Sequence, residues 1–223
     1  MSLSSTTTIW AELRHADASE VPFLRVMIHQ LANYVNLPHL CSASDASLLS
    51  SLFPSPPLPP FFSFTTLLLH LSSVPPLPSP QTLSITSLSL SFPSPIADPD
   101  RSAFSSPLRK DDHTIAGFII CFPRYSTYLA KPGLHIEDVF VREPWRRKGL
   151  GRFMITAVAK KAAEMGMGRV EWCVLDWNSN AKAFYESMGA VVLSEQRLCR
   201  FSGPALERFK SGNGEERKED DSM

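Results

Sequence analysis

Between His113 and Phe201 the apolar side chains recur first at every second residue and then at every third or fourth, and the period changes again before the segment ends. A chain patterned this way must pack helices on a sheet, because a period of two lines one face of a strand and a period near 3.6 lines one face of a helix. HTIAGFIICF (113–122), LHIEDVFV (134–141) and RVEWCVL (169–175) read as strands. Residues 149–165 read as a helix with Leu150, Phe153, Met154, Ala157 and Val158 on one face, and Ser179 to Met188 as a short helix closed by Gly189. VVLSEQRLCRF (191–201) reads as a last strand. The order predicts an α/β layer structure on a mixed sheet.

Upstream, IWAELR reads as a short strand, and the capping-box pair Asp17-x-x-Glu20 opens a helix with Val21, Leu24, Ile28, Leu31 and Ala32 at helical spacing. One helix is expected in residues 9–53, and residues 61–71 are strand-like. From Ala46 to Ala97 there is no Asp, Glu, Lys or Arg, and twelve of the nineteen prolines lie between Pro54 and Pro99. Residues 72–112 therefore read as a Ser/Pro/Leu-rich insertion, expected to be a mobile surface excursion. Its PPLPSP stretch could serve as a polyproline ligand, although an ordinary linker explains the composition as well. The expected organisation is one domain over 9–209 carrying the insertion at 72–112, followed by a disordered tail at 210–223 that has no apolar face.

The 22 basic and 22 acidic residues balance, so neither nucleic acid nor a membrane surface is an expected partner. The longest nearly apolar run, FFSFTTLLLHL, is far shorter than the roughly 20 residues that span a bilayer. Cys41, Cys121, Cys173 and Cys199 form no CxxC pair, and the six histidines show no ligand spacing, so no metal is expected. A reducing, cytoplasmic location fits this cysteine usage.

The local charge is at Arg146-Arg147-Lys148-Gly149-Leu150-Gly151, directly before the helix at 149–165. A helix N-terminus offers unpaired N–H groups and the positive end of its dipole, and glycine lets a ligand come close, so the hexapeptide reads as a phosphate cradle. The chain has no GxxxxGK[ST] stretch, and Met154 stands where a dinucleotide fingerprint needs its third glycine.

The hexapeptide matches R/Q-x-x-G-x-G/A and resembles the loop with which the GNAT superfamily of N-acetyltransferases binds the pyrophosphate of acetyl-coenzyme A. It follows IEDVFV and precedes WNSNAKAFYESMGA (177–190), similar to the second half of that coenzyme site. IEDVFV, RRKGLG, WN and FY…GA also resemble the diamine acetyltransferase branch and its plant relatives acting on ornithine-like or tyramine-like amines, and Leu31-Ala32-Asn33-Tyr34 resembles that branch's substrate-side helix.

The resemblance implies a GNAT fold, a central mixed and mostly antiparallel sheet flanked by helices. It implies acetyl-coenzyme A as cosubstrate, a small primary amine as acceptor and a homodimer. Coenzyme contacts are implied at Val139, Phe140 and Val141, at Arg146, Arg147, Lys148, Gly149, Leu150, Gly151 and Arg152, and at Asn178, Asn180 and Tyr185. Substrate contacts are implied at Tyr34, Glu137, Glu171 and Trp172.

The chemistry is consistent with these roles. An alkylamine of pKa about 10.4 must lose a proton before attack, at a cost of roughly 4–5 kcal/mol near neutral pH. The resemblance implies Glu137 as the amine-facing carboxylate. Asp138, its strand neighbour, is expected to face the other way and pair with an arginine. The departing thiolate needs a proton, for which Tyr185 is the candidate. Asn178 and Asn180 are candidate coenzyme ligands, although either could instead cap the helix near Ser179, and Asn178 is favoured for contact. The thioester carbonyl needs a donor, and the resemblance implies that unpaired N–H groups of a splayed or bulged strand at Val139 to Val141 supply it. Cys173 is expected to be buried packing rather than a nucleophile.

Val35 follows Tyr34 where the polyamine enzymes carry an acid, which favours a shorter amine. The alternative is a protein lysine or N-terminal acetyltransferase of the same fold.

Overall fold

In the stretch TTLLLHLS every residue is buried, and such a continuous apolar run belongs to a strand covered on both faces. This strand, β2 (Thr65–Ser72), lies in a six-stranded sheet with β1 (Thr7–His15), β3 (Ser84–Phe92), β4 (His113–Ser126), β5 (Lys131–Val141) and β6 (Val170–Trp172). The order is β3-β1-β2-β4-β5-β6, and all neighbours are antiparallel except the parallel pair β5 and β6. The helices are α1 (Val21–Tyr34), α2 (Asp45–Leu52), α3 (Leu150–Glu164), α4 (Ser179–Glu186) and α5 (Pro204–Glu207). The computed structural model describes residues 6–76, 84–109 and 112–210. They form one compact unit up to Cys173 and a second from Val174.

The expected capping box forms: Asp17 accepts from Ser19 N–H, and Glu20 accepts from Asp17 N–H. It opens a short 3-10 turn that runs into α1, whose Leu24 and Met27 pack on Leu68, Ile115, Phe118, Ile120 and Phe140. Each such burial contributes about 1.5–3 kcal/mol. In α3 the expected Leu150, Met154, Ala157 and Val158 are buried, while Phe153 is only half-buried and Ile155 is buried in addition.

The segment 72–112 is not a mobile excursion over its described length. SITSLSLSF forms β3, which pairs with β1 from Thr7↔Phe92 onward, so its Ser/Leu alternation is a strand pattern and not low-complexity filler. After β3 the chain returns to the core: Phe104 is 4% exposed, and Ser106 is buried beside Glu20 and His113. Arg109 pairs with Glu12 of β1. PPLPSP at 75–80 lies mostly outside the described residues, as does 211–223.

Two other expectations are corrected. Residues 9–53 hold a second helix, α2, opened by a Ser44/Ser47 capping box that lacks the usual Glu or Gln. VVLSEQRLCRF forms no strand: Val191, Leu198 and Phe201 are 79%, 71% and 61% exposed. A period-two pattern becomes a strand only where a neighbouring backbone accepts its hydrogen bonds, and none of the described strands does so here. β6 is likewise only three residues long, which leaves Cys173 exposed rather than packed.

Gly117 of β4 pairs with Val141 and lies against the Phe140–Val141 backbone of β5. A Cβ there would sit 2.3 Å from the Phe140 carbonyl oxygen, a backbone atom that cannot swing away. Gly117→Ala is expected to cost about 2–4 kcal/mol in urea unfolding. A loss below about 0.5 kcal/mol would mean that the strands part without strain.

Candidate active site

β5 is paired along only part of its length on its β6 side. The parallel ladder runs Leu134↔Val170, His135↔Glu171 and Ile136↔Trp172 and then stops, whereas β5 continues to Val141. From Glu137 onward β5 is held by β4 alone, which leaves on its other side a wedge whose β5 wall has N–H and C=O groups free of sheet bonding. The wedge opens toward the phosphate-type loop, because Val141 is followed within five residues by Arg146.

The loop is shaped by two left-handed residues, Arg147 (φ 57°) and Gly149 (φ 80°). Nothing lies within 4 Å of where a Gly149 Cβ would stand, so glycine is required there by backbone conformation and not by space. Gly149 caps α3 without any side-chain bond, and Phe153 N–H is bonded to Gly149 O. The N–H groups at Leu150 and Gly151, in the first turn after the Gly149 cap, lie at the positive end of the helix dipole. Phe140 and Leu150 are 4% and 1% exposed, so neither presents its side chain to a ligand.

The three cations before the glycine are not equivalent. Arg146 turns inward: Nε donates to Val141 O at 2.8 Å, and its guanidinium lies 4.4 Å from the Tyr34 ring centroid and 5.2 Å from that of Phe140. Lys148 Nζ reaches Arg146 O at 3.4 Å, while Arg147 and Arg152 are exposed. Tyr34 is delivered to this place by the end of α1, where Asn36 adopts the left-handed conformation (φ 61°) and Leu37 N–H bonds back to Ala32 O.

The acidic pair departs from expectation. The β4–β5 register passes from Ile120↔Asp138 to Cys121↔Ile136, so Glu137 is the extra residue of a β-bulge. The bulge lies two residues before the expected Val139–Val141 segment, and it breaks the alternation that would send neighbours to opposite faces. Asp138 shares its face with Phe140, which belongs to the α1 core. Among the described residues Asp138 has no arginine within ion-pair distance, contrary to the expected structural pairing. Burial first, and then the Glu137 charge, push its carboxyl up to about 6. Glu137 is exposed, with His135 Nε2 at 3.9 Å. Asp138 is thus half-buried beside the exposed Glu137; the two adjacent carboxylates were visible in the sequence, but the bulge between them was not.

A group that folding makes less acidic stabilises the fold below its unfolded pKa, near 3.8, and loses that contribution as pH rises through about 6. Asp138→Asn is therefore expected to be about 1–3 kcal/mol more stable than wild type at pH 7.5, with the gain shrinking toward pH 4. Urea midpoints at the two pH values check this, and a gain independent of pH would contradict it.

Of the other expected residues, Glu171 is engaged by Arg169 Nε at 2.8 Å and by Arg124 at 3.7 Å, and Trp172 ends β6 half-buried. The second unit carries Asn178, Asn180 and Tyr185. Asn178 Oδ1 accepts from Ala181 N–H at 3.1 Å, so its carbonyl caps α4 and only its amide nitrogen remains for a ligand. Asn180 is exposed. Tyr185 is half-buried with Phe184 at 5.3 Å between centroids, and its carbonyl accepts from Met188 and Ala190 as Gly189 (φ 88°) closes the helix. Among the described residues no group of three His, Cys, Asp or Glu side chains could hold a metal ion, and no helix is long and apolar enough to cross a membrane.

Comparisons with known proteins identify the family. The model of the acetyltransferase (GNAT) family matches residues 72–190. The chain is 45% identical to an L-ornithine N5-acetyltransferase of Arabidopsis thaliana over 92% of this chain and 90% of the relative. It is 28% identical to a tyramine N-feruloyltransferase of Nicotiana tabacum over 93% and 94% of the two chains. A thialysine N-epsilon-acetyltransferase of Caenorhabditis elegans is 37% identical over 42% of this chain and 60% of its own. Among solved structures, an integron cassette protein from the mobile metagenome of V. cholerae shares the fold with a TM-score of 0.57 at 17% identity, over 90% and 98% of the two chains. An aminoglycoside acetyltransferase from an uncultured soil metagenomic sample superposes with a TM-score of 0.53 at 16% identity, over 86% and 95%. With its mixed sheet, the wedge beside β5 and the RRKGLG turn at the start of α3, the chain belongs to the GNAT family of acetyltransferases.

Proposed function

We propose that the protein transfers the acetyl group of acetyl-coenzyme A to a primary amine of a small, ornithine-like or diamine substrate by direct attack in a ternary complex. The observation that carries this reading is the conjunction of a half-open β5 strand, an anion-binding helix start at its end and two carboxylates at its bulge. Identity of 45% to an ornithine acetyltransferase over nearly the whole chain supports the amine class.

In this mechanism the turn from Gly149 to Arg152 holds the pyrophosphate with backbone N–H groups, and Arg147 and Lys148 add charge. N–H groups of Val139 to Val141 hold the pantetheine arm and polarise the thioester carbonyl. Glu137 and Asp138 bind the ammonium group, and a carboxylate with a pKa of about 6 is a stronger base than an ordinary one while still ionised at pH 7.5. It accepts the amine proton through water. The freed nitrogen then attacks the carbonyl carbon, the C–S bond breaks, the thiolate takes its proton from Tyr185, and the second proton released by the nitrogen returns through water to the tyrosine oxygen. Tyr34 walls the amine side, and Glu171, neutralised by two arginines, takes no part.

The test is thiol release from acetyl-coenzyme A against ornithine, lysine, putrescine, 1,3-diaminopropane, spermidine, tyramine and a histone-tail peptide, with feruloyl-coenzyme A as a second donor. Rapid release with ornithine or a short diamine is expected. Turnover of the peptide alone would replace this reading with a protein acetyltransferase.

A further inference from the structure

The insertion contributes a buried carboxylate to the corner from which the coenzyme loop springs, and the loop's shape depends on it. Asp98 has a side chain only 1% exposed, yet lies in the segment that sequence composition marks as linker. Arg142 Nη1 and Nη2 donate to its two oxygens at 2.9 and 2.7 Å, and Trp145 Nε1 donates at 2.8 Å. Arg142 is the first residue beyond β5, and Trp145 immediately precedes Arg146. One carboxylate thus bridges both ends of the four-residue corner between the half-open strand and the phosphate-type turn.

The remaining contacts make that corner rigid. Arg142 Nη1 also donates to Ile115 O at 3.1 Å, Arg142 N–H bonds to Ala116 O at 2.8 Å, and the guanidinium lies 3.8 Å from the ring centroid of Phe104, another residue of the insertion. Without Asp98 the Arg142 charge would remain 98% buried with only carbonyls and a hydroxyl around it, which favours swinging the arginine, and the corner with it, toward water.

We infer that Asp98 is a positioning residue for coenzyme binding, and that residues 98–104 serve to hold the Arg142–Trp145 corner in register with β4. The inference rests on the acetyl-coenzyme A reading above. A displaced corner carries the N–H groups at the start of α3 away from the pyrophosphate, whereas the amine, bound at the bulge, is unaffected. The signature is therefore a coenzyme-specific defect.

The experiment compares Asp98→Asn and Asp98→Ala with Arg109→Met, which breaks the Arg109–Glu12 pair holding the other end of the same insertion. Thermal unfolding, KM for each substrate and calorimetric titration with coenzyme A are measured on the full chain. Asp98→Ala is expected to raise KM for acetyl-coenzyme A and Kd for coenzyme A about tenfold or more, with the amine KM within about twofold. Asn, which keeps one acceptor, should fall between Ala and wild type, and Arg109→Met should lower Tm with both KM values unchanged.

If Asp98→Ala does not fold, Trp145→Phe removes one donor while keeping an aromatic ring at the position and carries the same expectation at smaller size. Loss of stability in the Asp98 variants with no change in coenzyme affinity, or an equal rise in both KM values, overturns the proposal. A wild type that binds no coenzyme A overturns the functional reading and this inference together; an active wild type with unaltered Asp98 and Trp145 variants overturns this inference alone.

Discussion

Tyr185→Phe is expected to lower kcat by about 10²–10⁴-fold, with KM for amine and acetyl-coenzyme A changed only a few-fold. Collapse of the tetrahedral intermediate expels a thiolate whose conjugate thiol has a pKa of about 8.5, and a phenol of ordinary pKa about 10 is a competent donor to it. The substitution deletes one oxygen and keeps the ring, so contact with Phe184 and the turn closed by Gly189 should survive. The pH dependence separates proton donation from packing. Above about pH 9 a free thiolate is itself a stable leaving group, so the deficit should narrow as pH rises. Single-turnover measurement of thiol release tests this without interference from product departure. A variant retaining more than a third of the wild-type rate, or a deficit constant with pH, would remove Tyr185 from the acid role.

Glu20→Ala should destabilise the fold by about 3–5 kcal/mol in urea unfolding. Glu20 is fully buried and accepts two hydrogen bonds from Arg14, one from Asp17 N–H and one from Ser106 Oγ of the insertion. Truncation leaves the Arg14 guanidinium uncompensated at 1% exposure and opens the capping box at the start of α1. The neighbouring His70 supplies no negative charge in its place: burial, and then the charge of Arg14, push its pKa well below the usual histidine value. Because a domain of this size is stable by only about 5–15 kcal/mol, Glu20→Ala could abolish folding at 37 °C. Glu20→Gln keeps an acceptor oxygen and should lose less, which makes the pair measurable. A loss under about 1 kcal/mol for Ala would mean that Arg14 finds water, and that the insertion is not docked through this carboxylate.

Much of the molecule is written in local sequence. Asp17-x-x-Glu20 specified a helix start, Gly189 marked a helix end, and the changes of period between His113 and Met188 specified strands and helices in the observed order. Each of these signals acts within one or two turns of chain, so no distant partner is needed to read it.

What only the tertiary structure decided is pairing, depth and aim. SITSLSLSF became a strand because β1 had a free edge, whereas VVLSEQRLCRF, equally strand-like, met no partner backbone and stayed exposed. Glu137 and Asp138 were visible as neighbours, but the one-residue offset against Ile120 and Cys121 that aims them belongs to two strands at once. Arg146 read only as one cation of a basic turn, and the end of α1 is what sets Tyr34 against its guanidinium; Asp98 looked like linker until Arg142, forty-four residues later, claimed both its oxygens. The physical reason is the same in each case. A hydrogen bond or ion pair is worth making in the core only when burial removes water as the alternative partner, and burial is set by residues far away in the chain.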